Sequence, residues 1–385
     1  MLGAAKTRMG GGNGRPVITS VTDVYSNWMP DYTVTLTIDP ERIYTKEVSV
    51  KATFGPDSST EVWNNVTLVG GDTLVVSVTQ SILKNLPADT RISWTVTSIF
   101  ESDPFLKSVI GLPSGGSITT IGSDRIHTYT SNGTLVVPNG FGRSMRSMLV
   151  AGGGGGGGKE SGGGGAGGMI DTYIDVPDGS HSVVIGSGGQ GGYGGYKERD
   201  NGLNGTNSSF RTLTAIGGGG GGGTGREIAA GNGGSGGGAG HGIPPGTGVS
   251  GQGYSGGSYS NTSGSSGGGG AGGVGGSMDG RNRGGHGGPG RYSDISGTNT
   301  AYAGGGGGCL NTARGDEDWR QGKGGVGGGG DSGKGNKVIT ASSPVNGVNG
   351  LGGGGGSGGW DGDWFSGQTG GKGGSGIVII RYKVA

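Results

Sequence analysis

The chain has 385 residues, 107 of them glycine, and its 28 basic and 27 acidic side chains leave a net charge of +1. That balance excludes the basic footprint of a nucleic-acid or anionic-membrane binder. With 29% hydrophobic residues, a conventional core can serve only part of the chain.

Residues 1–15 read as a basic, glycine-containing arm. Residues 16–112 have ordinary composition and the alternation of short strands. Val34, Leu36 and Ile38 share one face, as do Val48, Val50, Ala52 and Phe54, then Leu74, Val76 and Val78, then Ile92, Trp94 and Val96. Asp39-Pro40, Gly55-Pro56 and Gly70-Gly71-Asp72 punctuate them. Six or seven strands at this spacing predict a β-sandwich, and the segments RPVITSVT and LPADTRISWTV resemble immunoglobulin-like or fibronectin-III-like modules. Residues 113–123 read as a linker, and residues 124–385 as a glycine-rich domain.

In that last region glycine comes in runs: Gly152–Gly158, Gly162–Gly165, Gly217–Gly223, Gly304–Gly308 and Gly352–Gly356. Glycine loses the most backbone entropy on folding and has no side chain to bury. Order in such runs needs another source, and extended three-per-turn helices packed too closely for any Cβ provide one. The flanks favour a lattice over a flexible linker. Strand-like segments Thr134–Pro138, Ser147–Ala151, Met169–Val176 and Ser182–Ile185 precede or interrupt the runs, and Gly376–Lys383 (GIVIIRYK) closes them. A closing strand that apolar, within 376–384, is expected to pair with the earlier strands and pin both ends of the glycine region. The fold class expected is therefore all-β: an Ig-like sandwich, then a β-framed domain of packed polyglycine-II segments.

The glycine region resembles a known family. HTYTSNGTLVVPNG (His127–Gly140), MLVAGGGGGGG (Met148–Gly158), GGGGAGGMIDTYIDVPDG (Gly162–Gly179), SVVIGSGGQGG (Ser182–Gly192) and GGSGIVIIRY (Gly373–Tyr382) are similar to the glycine-rich domains at the distal ends of bacteriophage tail proteins and fibres. The resemblance covers roughly two-thirds of the chain and implies polyglycine-II packing, with some members serving as adhesins. Arg143, Ser144 and Arg146 interrupt the strand before the first glycine run, where the family pattern is more apolar.

Chemical motifs are sparse. Gly153–Lys159 matches the glycines and lysine of a phosphate loop, but Glu160 stands where Mg²⁺ binding needs Ser or Thr. Ser235 sits in a GxSxG match that polyglycine produces freely, without the strand, helix and triad partners of a nucleophile elbow. His127, His181, His241 and His286 lack metal-ligand spacing. Asp316, Glu317, Asp318, Asp361 and Asp363 read as solvated turns, with Ca²⁺ as the alternative. Arg314-Gly315-Asp316 reads as a coincidental tripeptide. The single Cys309 excludes an internal disulfide. No catalytic residue, metal or cofactor is implied. The first residues lack a secretory core and no stretch is long enough to span a membrane, so synthesis in the cytoplasm is expected.

Aromatic residues stand out among the polar inserts between glycine runs: Tyr193, Tyr196, Tyr254, Tyr259, Tyr292, Tyr302, Trp319, Trp360, Trp364 and Phe365. They have two readings. Facing outward they offer rigid recognition faces, with Tyr254, Tyr259, Tyr292, Trp319, Trp360, Trp364 and Phe365 as receptor-binding candidates. Facing inward they cap the lattice or pack on a neighbouring subunit. The leading expectation is a virion protein, a tail fibre or minor tail component, made in the host cytoplasm. Residues 1–112 would meet other virion proteins, and the loops of the glycine domain a host-surface glycan or protein. A homo-oligomer such as a trimer fits this build. Nucleic acid and membrane insertion are not expected. A head-attached decoration protein is the alternative, and a non-viral glycine-rich surface protein a further one.

Overall fold

The computed structural model describes residues 18–24, 31–38, 47–54, 60–67, 73–79, 91–97, 105–108, 112–194, 200–223, 229–259, 264–278, 283–309, 321–334, 342–359 and 367–384. Among them all regular structure is β, and there is no α-helix. The arm at 1–15 lies outside the described residues.

Seven strands precede the glycine domain: β1 (Ile18–Val24), β2 (Asp31–Ile38), β3 (Glu47–Phe54), β4 (Thr60–Thr67), β5 (Thr73–Thr79), β6 (Arg91–Thr97) and β7 (Phe105–Ser108). They form two antiparallel sheets, ordered β1-β2-β5 and β4-β3-β6-β7. Leu36 on β2 and Val50 and Ala52 on β3 are fully buried, as the two-residue alternation requires.

The glycine domain is built on a second pair of sheets. The first contains β12 (Met169–Val176), β11 (Arg143–Val150), β18 (Ile377–Lys383), β9 (Asp124–Tyr129) and β8 (Ser117–Ile121), in that order. The second is β10 (Gly133–Val137), β13 (Gly179–Val184), β14 (Ser208–Phe210) and β15 (Leu213–Ala215). A hairpin of β16 (Arg291–Ser293) and β17 (Thr300–Tyr302) forms a separate two-stranded sheet. Ser117–Ile121, within the segment read as a linker, is a strand hydrogen-bonded to β9.

The apolar run of β18 is explained by its place. It lies between β11 and β9, with Leu149 and Tyr129 opposite Val378, and both its faces are covered. Val378, Ile380 and Tyr382 pack with Leu135, Val137, Leu149, Val183 and Phe210 between the sheets. Ile377 and Ile379 pack on the other face with Met148, Val150, Met169, Ile295 and Tyr302. A strand buried on both faces reads as a continuous apolar run. Alanines replace glycine where the runs meet this second cluster: Ala166, Ala271 and Ala303 all lie in it.

From that floor the glycine segments rise as a lattice. The N–H groups of Gly152, Gly155 and Gly158 donate to the carbonyls of Thr206, Leu203 and Asp200. Those of Gly153 and Gly156 donate to Gly374 and Gly371, and those of Gly154 and Gly157 to Gly165 and Gly162. Partners change every residue and recur every third, and each recurrence steps the neighbour back by three. The carbonyls bind three further neighbours with the same period, each recurrence stepping the neighbour forward by three. Gly189 and Gly192 donate to Gly153 and Gly156, Gly218 and Gly221 to Gly152 and Gly155, and Gly355 and Gly358 to Gly154 and Gly157. The run 152–158 is thus the axis of a hexagonal bundle, three neighbours antiparallel to it and three parallel. This is polyglycine-II packing: three residues per turn, about 3.1 Å rise per residue and no internal hydrogen bond. Every backbone donor of the run is satisfied between helices, as buried amides require.

Only glycine fits. A Cβ on Gly154 would run into the carbonyl of Gly219, and one on Gly220 into that of Gly202. Where the lattice meets solvent, asparagine takes over from the missing neighbour. Asn207 and Asn204 accept the N–H groups of Gly217 and Gly220 through Oδ1 at 2.9 and 2.8 Å, and Asn201 accepts that of Gly223.

Candidate functional site

The lattice has two unlike ends. One rests on the sheets, where Ala151 donates to Gly168 and Gly376 to Gly186. The other is a turn at Lys159, Glu160 and Ser161, with Glu160 at φ 53°. The axial run between them spans roughly 20 Å at polyglycine rise. Ser161 Oγ donates to the Lys159 carbonyl at 2.9 Å, and Ser265 Oγ to the Ser161 carbonyl at 2.6 Å. The Ser265 N–H donates to the Cys309 carbonyl, and the Cys309 N–H donates to that same Ser265 hydroxyl at 3.0 Å. Burial pushes the Cys309 thiol up to about 12, so it stays a protonated packing group and not a nucleophile. Burial also raises the Glu160 carboxyl above its ordinary value, against the pull of Lys159.

The residues flanking seven polar inserts converge on this far end. Gly158 donates to Asp200, next to segment 195–199. Asn201 receives Gly223 and donates to Ala229, the two sides of segment 224–228. Gly264, Met278 and Cys309, which flank segments 260–263, 279–282 and 310–320, meet at one place, with Met278 against Gly264 beside the Cys309 carbonyl. Lys334 donates to Ser342 across segment 335–341, and Gln368 to Gly359 across segment 360–366. Gln368 Nε2 reaches both Lys334 and Ser342 carbonyls at 3.2 Å, joining these two.

The aromatic candidates divide. Trp319, Trp360, Trp364 and Phe365 lie outside the described residues, as does Tyr196. Tyr259 is at the far end, where its hydroxyl meets His241 Nδ1 at 3.0 Å and the rings pack edge to face. Tyr193 is there too, 66% exposed. Tyr254 and Tyr292 are also exposed, but they belong to the sheet end. Tyr254 follows Gln252, whose carbonyl receives Met169, and Tyr292 is on β16. Tyr302 is buried in the lower cluster. The candidates with described positions therefore do not form one surface.

The phosphate-loop match is consumed by the lattice. The N–H groups of Gly153–Gly158 all donate to protein carbonyls, and Lys159 is buried, so no cradle is free. Ser235 is buried among glycines.

The charged residues that interrupt β11 have partners. Arg146 holds Asp171 through two nitrogens at 2.9 Å and Asp294 at 2.6 Å. The hydrogen bond to Asp171 raises its pKa further, keeping it charged, and the bond from Arg146 holds the Asp294 carboxyl below its ordinary value. Arg143 lies over the Phe141 ring at 4.0 Å. This layer ties the β16–β17 hairpin to the sheet through Ser293 and Asp171. Beside it is a shallow cleft of about 580 Å³, lined by Arg146, Ile170, Asp171, Thr172, Tyr173, Gly251 and Arg291. Tyr173, 69% exposed, was hidden in the alternation of MIDTYIDV, where it reads as one more strand residue.

Residues 129–383 match the family model described as a glycine-rich domain. No curated protein matches the chain.

Proposed function

Starting from a chain that belongs to the glycine-rich domain family, we propose that it is a bacteriophage virion protein, a tail fibre or minor tail component, that attaches to the host surface. The observation that carries this reading is the polarity of the lattice. Its strands pin one end, and the flanks of the polar inserts gather at the other. Such a rigid spacer holds the flanks of the inserts at a fixed distance from the sheets, and a pre-organised scaffold lowers the ordering cost of binding. The resemblance to phage tail domains supports the virion setting. The strand orders β1-β2-β5 and β4-β3-β6-β7 support a fibronectin-III-like reading of the first module, which would dock on other virion proteins. The role is one of binding, without catalysis, cofactor or nucleic acid, and its place is the assembled particle.

The test is competition. Purified full-length chain should block adsorption of the phage that carries it. Trp360→Ala or Trp364→Ala should weaken that block by about 2 kcal/mol or more if the ring is a binding hot spot, with an unchanged melting curve. If wild-type protein binds no host surface, or the variants unfold before binding is lost, the reading fails and the chain is a purely structural virion component.

A further inference from the structure

Asparagine followed by glycine recurs along the lattice edge, and three such dipeptides make the same double contact. Asn346 Oδ1 accepts the N–H of Lys372 at 2.8 Å, while the next residue, Gly347, donates to the carbonyl of that same Lys372 at 2.8 Å. Asn349 and Gly350 grip Ser375 at 3.0 and 2.9 Å. Asn232 and Gly233 grip Thr247 at 2.8 and 3.2 Å. The three asparagines are exposed, so water reaches them.

The two groups held in each clamp, the asparagine carboxamide and the glycine amide, are partners in a known class of reaction. The glycine amide nitrogen can attack the asparagine Cγ, losing its proton as ammonia leaves, and a five-membered succinimide forms. Water then adds to either ring carbonyl and gives aspartate or isoaspartate. Glycine after asparagine offers no side chain to hinder the attack. Ring closure needs nitrogen and Cγ in a near-attack arrangement, which requires the Asn-Gly peptide plane to turn about the asparagine ψ. In the lattice the glycine N–H is committed to a neighbouring carbonyl, and turning the plane for ring closure breaks that bond.

We propose that Asn232, Asn346 and Asn349 are deamidation sites that the folded lattice holds closed and that react when the edge opens. Isoaspartate adds a methylene to the main chain, so the three-residue register with the neighbour cannot re-form. Deamidation would then fix a transient opening as permanent damage.

The test is peptide mapping by mass spectrometry on full-length protein aged at mildly alkaline pH, folded or in denaturant. Deamidation at the three sites should be at least about tenfold slower in the folded chain, because reaction requires local opening. Asn349→Ala loosens one edge. It should speed reaction at the adjacent Asn346 several-fold and leave Asn232 at its wild-type rate. Equal rates at these sites in folded and denatured wild-type chains, with circular dichroism confirming the fold, would overturn the proposal. Should the variant fail to fold, the wild-type comparison alone decides.

Discussion

Leu149 and Gly154 stand on one continuous path, the first in β11 and the second on the lattice axis, and both are fully enclosed. Leu149 is held by side chains: it packs with Phe210, Val183 and Val378 between two sheets. Gly154 has no side chain. Its surroundings are the backbones of segments near Gly165, Gly219 and Gly355. In the first region stability comes from apolar area removed from water. In the second it comes from amide hydrogen bonds made at a spacing that leaves no room for a Cβ. A side-chain core yields by degrees when an atom is lost or moved, whereas a backbone lattice has no atom to spare and no space to gain.

The largest expected effect follows from that contrast. Gly154→Val or Gly220→Val should destabilise beyond the ~4–5 kcal/mol that marks exceptional point mutants, and the domain should lose its cooperative melting transition. Gly242→Ala is the matched control. Gly242 has φ +72° but open space around its missing Cβ, so the cost should be only the left-handed strain of about 1–2 kcal/mol. Equal melting curves for Gly154→Val and Gly242→Ala would break the comparison.

Leu149→Ala comes next. It leaves a cavity in the cluster between the sheets and should cost about 2–5 kcal/mol. The midpoint in chemical denaturation should move while the transition stays cooperative. Loss of the folded domain at this position would mean that frame and lattice tolerate change equally poorly.

A smaller effect belongs to the lattice edge. Asn204→Ala removes the acceptor for the Gly220 N–H and should cost about 0.5–1.5 kcal/mol, the net worth of one hydrogen bond. Asn204→Asp keeps an acceptor oxygen and should melt closer to wild type. If both variants melt alike, the Oδ1 bond is not what seals the edge.

These edge residues also mark what could be read in the sequence. The frame was legible because its strands carry alternation, and the double-faced run Ile377–Ile380 could only be a covered strand. The polyglycine helices were legible as a class, through the family resemblance and the flanking strands. Their neighbours were not. Gly152–Gly158 and Gly217–Gly223 are chemically identical, so nothing in a run states which other run it touches or in which direction. That choice is made by the pinned ends and by the asparagines. NGLNGTN at 201–207 and VNGVNG at 345–350 repeat every third residue, the lattice period, and carry the sequence signal of these edges. Ser117–Ile121 was missed for another reason. As an edge strand with every residue exposed, it carries little apolar alternation. The convergence of the inserts' flanking residues on one end depends on contacts between runs far apart in sequence, which composition does not encode.

The smallest effect tests the junction between frame and preceding chain. His127 on β9 is fully buried. With Nδ1 donating to the Gly115 carbonyl at 2.7 Å, Nε2 accepts the Tyr382 hydroxyl at 2.9 Å, and the two rings stack with centroids 5.6 Å apart. Burial lowers its pKa, and the nearby Arg125 lowers it further, against the Gly115 bond that raises it. In the unfolded chain the imidazole takes up a proton near its ordinary value of about 6.5, whereas in the fold it stays neutral to lower pH. The unfolded state then binds more protons in that interval. The stabilising contribution is whole above about 6.5 and is lost as pH falls toward the lowered folded value. His127→Gln, which keeps a donor and an acceptor but cannot titrate, should flatten the melting temperature between about pH 6.5 and 5 relative to wild type. The Glu160 carboxyl acts in the opposite sense, since its raised folded pKa favours the fold as pH falls. The difference between wild type and His127→Gln, not the absolute slope, is therefore the quantity that isolates His127. Parallel pH profiles for the two proteins would mean that His127 is protonated in the fold as easily as in the unfolded chain, and that the frame is looser at Gly115 than its hydrogen bonds imply.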